Sequence, residues 1–330
     1  PETFVEALVT EIKAFQGPGR ADTVFLGGGT PSLLAPAQLE QILNAVARHF
    51  SLADPEITLE ANPDDVTEAL ANAWKALGVN RVSLGVQSFD DAPLEYLGRR
   101  HDAETARRAC DIVAAHFANW SMDLIYGAHP VTTWKATLRE CAAFAPPHVA
   151  CYGLTYEPET PFGARAHEAI DDDVALACFR SSQTLLPNHT RYEISNFAIP
   201  GRECRHNLRY WRNEEYAGFG PGAYSFVAGM RSMNEEAPDA YIREPGRKRE
   251  SLSLSDYEVA IETLIQHFRL REGLGLAEYA ARFGRELFAD FGQVLEPLLA
   301  RGLIEKRDDR VRPTRLGFEL NDEIGLALVG

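Results

Sequence analysis

The first 155 residues alternate short β-rich runs with amphipathic helical patterns, and this alternation narrows the fold more than any other feature of the chain. Runs at 23–26, 56–60, 81–85, 122–125 and 148–154 read as strands. Between them, 37–50, 67–77, 103–117 and 134–144 carry the helical period. Strands that alternate with helices in this way pair in parallel, because each helix carries the chain back across the sheet. The chain opens on a helix at 2–16, with Phe4, Val5, Leu8, Ile12 and Phe15 on one side, and no strand precedes it. The pattern predicts an α/β fold, a partial (β/α)6 barrel whose first strand lies upstream of Pro1.

In such barrels chemistry collects in the loops that follow the strands. The unusual residues fall there, at 27–32, 60–63, 87–89 and 123–129. Residues 1–155 are read as the barrel core. Residues 156–250 read as an irregular segment rich in Gly, Pro and aromatics that completes the barrel and faces substrate. Residues 251–330 read as a separate helical unit. Within it, Tyr257, Ile261, Leu264, Ile265 and Phe268 form a stripe, helices follow at 276–284 and 287–301, and 303–313 reads as a hairpin turning at Asp308-Asp309. Helices followed by a hairpin resemble a winged helix.

The net charge of −15 argues against a general nucleic-acid binder, since phosphate affinity needs clustered Lys and Arg. The basic residues of the winged-helix end, Arg301, Lys306, Arg307, Arg310, Arg312 and Arg315, are interleaved with Glu305, Asp308 and Asp309. A nucleic-acid module built on them is the least favoured reading. No apolar run reaches the roughly 18 residues of a membrane span, and no basic-then-apolar leader opens the chain, so a cytoplasmic location is expected. The five cysteines, Cys110, Cys141, Cys151, Cys178 and Cys204, stand far apart, with no zinc or iron–sulfur spacing among them.

Gly27-Gly28-Gly29-Thr30-Pro31-Ser32 follows a strand. Glycines let a ligand approach the backbone, and exposed amides meet carboxylate or phosphate. No Lys-Ser/Thr follows, and Ser32 stands where a dinucleotide fingerprint needs a third Gly. A tight strand exit is the plain alternative. Glu60 ends the next strand, where a carboxylate can take the paired hydroxyls of a ribose or simply cap a helix. Gln87 closes the third strand, and Arg99 lies beyond it. Asp123 sits inside an apolar strand, which is costly unless it is paired; Arg99 is the expected partner.

In this order and spacing the segments resemble the coproporphyrinogen III oxidase-like radical S-adenosylmethionine (SAM) family. They are VFLGGGTPS (24–32), EANP (60–63), NRVSLGVQSF (80–89), LGR (97–99) with His101, and DLIYG (123–127). YGLTYE (152–157), YEISNFA (192–198), HNLRYW (206–211) and GFGPGA (218–223) extend the resemblance toward the C-terminus, and the last three favour the HemW-type haem chaperone branch. The resemblance implies a radical SAM barrel with a HemN-type C-terminal domain. It implies SAM contacts from Gly28, Gly29 and Thr30 to the methionyl end, from Glu60 to the ribose, and from Gln87, Arg99 and Asp123. The family's Cys-x3-Cys-x2-Cys motif for a [4Fe–4S] cluster is absent, so no residue of this chain is expected to hold the cluster metal and the cluster cysteines are expected upstream of Pro1. The loop at 127–134 is shorter than the family's, and His129 is unexpected in it.

Arg205-His206-Asn207-Leu208-Arg209-Tyr210-Trp211-Arg212 is a basic, aromatic stretch in an acidic chain. Haem offers an iron for imidazole, a flat apolar face and two propionates for arginine. The segment supplies partners for all three, and His206 is the candidate axial ligand, with His129 its main rival. A satisfied structural histidine is the alternative. The function expected is binding of SAM and haem and transfer of haem to an acceptor protein. Radical oxidative decarboxylation of coproporphyrinogen III is the runner-up. Turnover, an electron donor and peripheral membrane contact are left open.

Overall fold

The computed structural model describes residues 2–160 and 162–330. Helix α1 (Glu2–Ala14) leads into β1 (Arg20–Leu26), and the alternation then runs as read from the sequence. It passes through α2 (Pro36–His49), β2 (Ser51–Ala61), α3 (Glu68–Ala76), β3 (Arg81–Gln87), α4 (Asp91–Tyr96), α5 (Ala103–His116), β4 (Trp120–Tyr126), α6 (Trp134–Phe144) and β5 (His148–Gly153). Local chemistry starts several of these helices. Pro36 occupies the first turn of α2, where its missing N–H costs nothing. The Thr67 and Asp102 side chains accept from Leu70 N and Thr105 N and cap α3 and α5.

Strands β1 to β5 pair in parallel in chain order, with Leu26 beside Leu59, Leu59 beside Val82 and Met122 beside Val149. One face of this sheet, carrying Leu59, Val82, Leu84, Val86, Met122 and Leu124, is buried. At about 25 cal/mol per Å² of apolar area, this face is the main source of stability in the barrel half. Helix α7 (Asp172–Leu185) follows β5, and the hairpin β6 (Thr190–Arg191) and β7 (Asn196–Ala198) closes that end of the sheet. β7 runs antiparallel to β5 because the chain enters it from a tight turn, in which Glu193 accepts from Ser195 N at 2.9 Å, and not from a crossover. β1 is the opposite edge strand and lines a cleft of about 1040 Å³.

The segment after β7 is more regular than its composition predicts. It holds α8 (Arg205–Trp211), β8 (Tyr224–Val227), β9 (Met230–Asn234), α9 (Pro238–Arg243) and β10 (Lys248–Ser253), with the three strands in an antiparallel sheet. Buried Glu11 fastens this sheet to α1, accepting from Gly220 N (2.9 Å), Asn234 Nδ2 (2.7 Å) and the Tyr241 hydroxyl (2.7 Å).

The C-terminal unit follows the winged-helix order. α10 (Asp256–His267) begins on a Ser255/Glu258 capping box. β11 (Leu274–Gly275), α11 (Leu276–Phe283), α12 (Leu287–Ala300), β12 (Ile304–Arg307), β13 (Arg310–Pro313), α13 (Arg315–Glu319) and α14 (Asn321–Val329) complete it. The hairpin turns where expected, with Asp308 at φ +53. Leu264, Tyr279, Phe291, Leu295 and Val311 form its own core. No helix among the described residues is long and apolar enough to cross a membrane.

Candidate functional site

The face of the sheet opposite the apolar core is polar, and period-two geometry puts it there. Glu56, Thr58 and Glu60 alternate along β2, Arg81, Ser83, Gly85 and Gln87 along β3, Ser121 and Asp123 along β4, and His148 with Tyr152 along β5. The carboxyl ends of these strands bring most of the expected residues together.

Gly27 to Gly29 leave β1. A Cβ at Gly27 would sit 2.8 Å from the Glu60 carboxyl carbon, so the two residues approach as closely as they do only because Gly27 has no side chain. Gly28 takes φ +92, and its N–H donates to Glu60 Oε2 at 3.2 Å. In front of Gly28 and Gly29 a Cβ would meet nothing within 4 Å, which leaves the backbone open to a ligand. Thr30 follows, half-buried, with no side-chain cap bond to the short turn at Pro31–Leu33. Burial, and then the neighbouring Asp123, push the Glu60 carboxyl above its usual range.

Gln87, Arg99 and Asn62 converge on Gly85, whose built Cβ lies 3.0 Å from Gln87 Nε2, 3.5 Å from an Arg99 nitrogen and 3.6 Å from Asn62 Oδ1. Gln87 holds φ +64, a conformation that costs a non-glycine residue energy and is found where a site over-determines the backbone. Its buried side-chain oxygen has no partner. A satisfied structural glutamine would not leave that acceptor bare.

The expected Arg99–Asp123 pair does not form. Arg99 donates to Asn62 Oδ1. Asp123 instead accepts from Ser83 at 2.9 Å and Ser121 at 2.9 Å, and its cationic neighbour is Arg81. Burial raises the Asp123 carboxyl, while the two serines and then Arg81 oppose the shift. Arg81, Ser83 and Ser121 escaped the sequence reading. The signal that could have found Arg81 and Ser83 is the polar stripe at 81, 83, 85 and 87, which a parallel strand covered on both faces would not carry.

His206 stands beside β1 itself, against Thr23 and Phe25. Its ring stacks on Phe25 at 4.9 Å, Nδ1 meets the Thr23 hydroxyl at 2.9 Å, and Nε2 meets the Tyr210 hydroxyl at 3.0 Å. Burial, with Arg81 second, lowers its pKa to about 4, so the imidazole is neutral near pH 7. His206, Arg209, Tyr210, Tyr216 and Arg231 line the cleft beside β1, which extends to Gly27 and Gly28. The rest of the expected surround is otherwise engaged. Arg209 pairs with Asp22 and Glu214, Arg205 reaches Asp54 O at 2.9 Å, and Arg212 pairs with Glu272 at 3.1 Å. Trp211 lies under Arg269, 4.7 Å from its guanidinium carbon, and not against the His206 ring. The rival His129 is pinned in its loop, with Nε2 on Glu168 O at 2.8 Å and its ring edge-on to Tyr96 at 5.3 Å.

At the winged-helix end, Arg301 pairs with Glu323, Arg310 with Glu278, Arg312 with Glu305 and Arg315 with Glu319. These pairings neutralise most of the charge a nucleic acid would seek. All five cysteines are buried and unpaired, and no cluster of metal-binding side chains exists among the described residues.

Residues 2–140 match the radical SAM superfamily, and residues 254–320 match the HemN C-terminal domain. The chain is 33% identical over 352 residues to the haem chaperone HemW of Bacillus subtilis, covering 100% of this chain and 92% of that one. To the haem chaperone HemW of Escherichia coli it is 34% identical over 298 residues, covering 86% and 78%. To the mouse mitochondrial radical S-adenosyl methionine domain-containing protein 1 it is 35% identical over 356 residues, covering 99% and 80%. Among solved structures, the coproporphyrinogen III oxidase HemN of Escherichia coli superposes with a TM-score of 0.84 at 20% identity, covering 99% of this chain and 82% of that one. At that identity the likeness speaks for the fold.

Proposed function

Because the chain belongs to the radical SAM superfamily and, within it, to the family of the HemW haem chaperones, we propose that it binds SAM and haem and delivers haem to acceptor proteins. The observation that carries this reading is the continuous identity to proteins named haem chaperones, which spans 83–100% of the chain.

Radical SAM proteins work with SAM and a [4Fe–4S] cluster. The residues at the strand ends fit SAM. The unobstructed backbone of Gly28 and Gly29, with Thr30, suits its methionyl carboxylate. Glu60 suits the ribose hydroxyls, and Gln87, Arg99 and Asp123 supply further polar contacts. The bare Gln87 oxygen and the vacant space before the two glycines support that fit. Bound there, SAM supplies an alkyl sulfonium; the chain's residues bind and orient it.

The cysteines do not fit a cluster. Burial raises the Cys151 thiol to about 12 and the Cys204 thiol to about 11, and Cys110 and Cys141 are raised as well. Thiolates are what a cluster requires, so iron and sulfide analysis of this chain should find no stoichiometric cluster.

His206 is the haem ligand we favour, because it is neutral and stands on a cleft wall with aromatic and cationic neighbours. Ligation requires one ring nitrogen to be released, and Tyr210 on Nε2 is the partner that gives way. The deciding experiment offers the protein haem and an apo-acceptor in one reaction and coproporphyrinogen III with SAM in another. Haem transfer to the acceptor supports the chaperone; decarboxylated porphyrinogen would bring back the oxidase reading.

A further inference from the structure

Behind Asp123 a chain of buried side chains runs away from the strand ends and plays no part in the ligand contacts above. The Ser121 hydroxyl lies 2.9 Å from Asp123 Oδ1 and 2.8 Å from His148 Nδ1. His148 Nε2 lies 2.9 Å from the Tyr192 hydroxyl. Ser121 and His148 are almost fully buried, and Tyr192 is nearly so. Water therefore does not supply alternative partners along this chain.

Burial raises the Asp123 carboxyl, but Ser121, Ser83 and Arg81 oppose the shift, and with Asp123 ionised a count of protons sets the direction of the chain. Ser121 has one hydroxyl proton, and an ionised Asp123 can only accept it. Ser121 must then accept from His148, which puts that ring's proton on Nδ1. His148 Nε2 is left as an acceptor, and the Tyr192 O–H fills it. Ser83 donates to the other Asp123 oxygen at 2.9 Å. Every donor along the line points toward Asp123, so each bond polarises the next.

We propose that His148 and Tyr192 are positioning residues that act through Ser121 to hold Asp123 ionised and oriented as a fixed acceptor for the N–H or O–H groups of the ligand at the strand ends. The role of Asp123 toward SAM rests on the reading given above; the direction of the chain does not. The surroundings agree with it. Burial holds His148 neutral, with Arg81 and His189 adding to the effect, and burial keeps the Tyr192 phenol protonated. Facing Asp123 are Arg81 from β3, Glu60 from β2 and Tyr152 from β5, with Cys151 of β5 on the opposite face of the sheet. Facing Tyr192 are Arg81, Glu193 and Cys204.

The first test is the ring-nitrogen NMR spectrum of the ¹⁵N-histidine-labelled chain, with His148 assigned by its loss in His148→Asn. The proposal requires the Nδ1–H tautomer, the one free imidazole populates less. An Nε2–H or a doubly protonated ring overturns it. The second test is SAM affinity by calorimetry across pH. Asp123 binds as the anion, so affinity is present above its pKa and lost as pH falls through it. Removing a donor raises that pKa, so Tyr192→Phe should move the acid limb to higher pH and weaken binding roughly five-fold at neutral pH. His148→Asn keeps an N–H on Ser121 and should stay within about two-fold of wild type, while His148→Leu should fall at least as far as Tyr192→Phe. Equal affinities for the Asn and Leu variants, or an unmoved limb in Tyr192→Phe, contradict the positioning role. Wild-type affinity in Asp123→Asn would instead remove Asp123 from the SAM site, while the tautomer measurement still decides the direction of the chain. Thermal melts identify any variant that fails to fold, and the labelled wild type needs only His148→Asn, for assignment.

Discussion

Two ligand surfaces border β1, one on the loop that leaves it and one along the strand, and they stand in opposite states. Beyond the carboxyl end of β1 no side chain blocks a ligand at Gly28 and Gly29, and Gln87 at the end of β3 keeps a buried oxygen without a partner. Along the strand His206 is complete, with both ring nitrogens bonded and its ring stacked on Phe25. A site with unfilled acceptors gains hydrogen bonds when its ligand arrives. A site already filled must exchange one bond for another, which lowers affinity and makes release easier. A tightly held cofactor suits the first arrangement, and cargo that must be handed on suits the second.

The largest effect is expected where the open surface depends on a missing side chain. Gly27→Val should displace Glu60 and reduce SAM affinity by more than about 100-fold, as overpacking combined with a lost charged contact implies. Calorimetry checks this, and affinity near wild type would mean that Glu60 does not hold the ligand. Glu60→Ala and Asp123→Ala should each weaken SAM by about 10- to 150-fold, the range for losing a hydrogen bond to a charged group. Melting temperatures separate that loss from unfolding.

The filled surface should respond in the opposite sense. Tyr210→Phe removes the partner on Nε2 without touching the ring, so haem should bind roughly five-fold tighter. A looser complex would show that the tyrosine belongs to the bound state and not to the resting one. The smallest effect expected is a pH dependence of stability. His206 titrates near its ordinary 6.5 when unfolded and at about 4 when folded. The unfolded chain therefore binds more protons between these values, and stability is lost as pH falls from 6.5 toward 4. Melts at pH 7.5 and 5 should show a smaller drop for His206→Ala than for wild type, with His148 supplying part of what remains.

Much of the barrel half was readable because its apolar positions recur with a clear period. Helix α5 was expected at 103–117 and runs Ala103–His116, and α6 matches 134–144. The middle segment was not readable, for physical reasons. Helix α7 buries only Cys178 and Ser182, so it carries almost no apolar stripe. Strand β10 is exposed at every residue, which erases the alternation that marks a strand. At the candidate site, the placement of Glu60 and Gln87 at strand ends and of Asp123 inside β4 followed from spacing. The partner of Asp123 did not, because Ser83 and Ser121 come from two strands whose register the sequence does not state.

The haem-binding role of His206 is the point on which the account turns, and haem titration of the purified chain, followed in the Soret band, tests it most directly. Wild type should give a saturable shift of the Soret band, and His206→Ala should lose that shift and bind at least about ten-fold more weakly, while His129→Ala behaves as wild type. A wild-type spectrum and affinity in His206→Ala would contradict the account and place haem elsewhere on the chain.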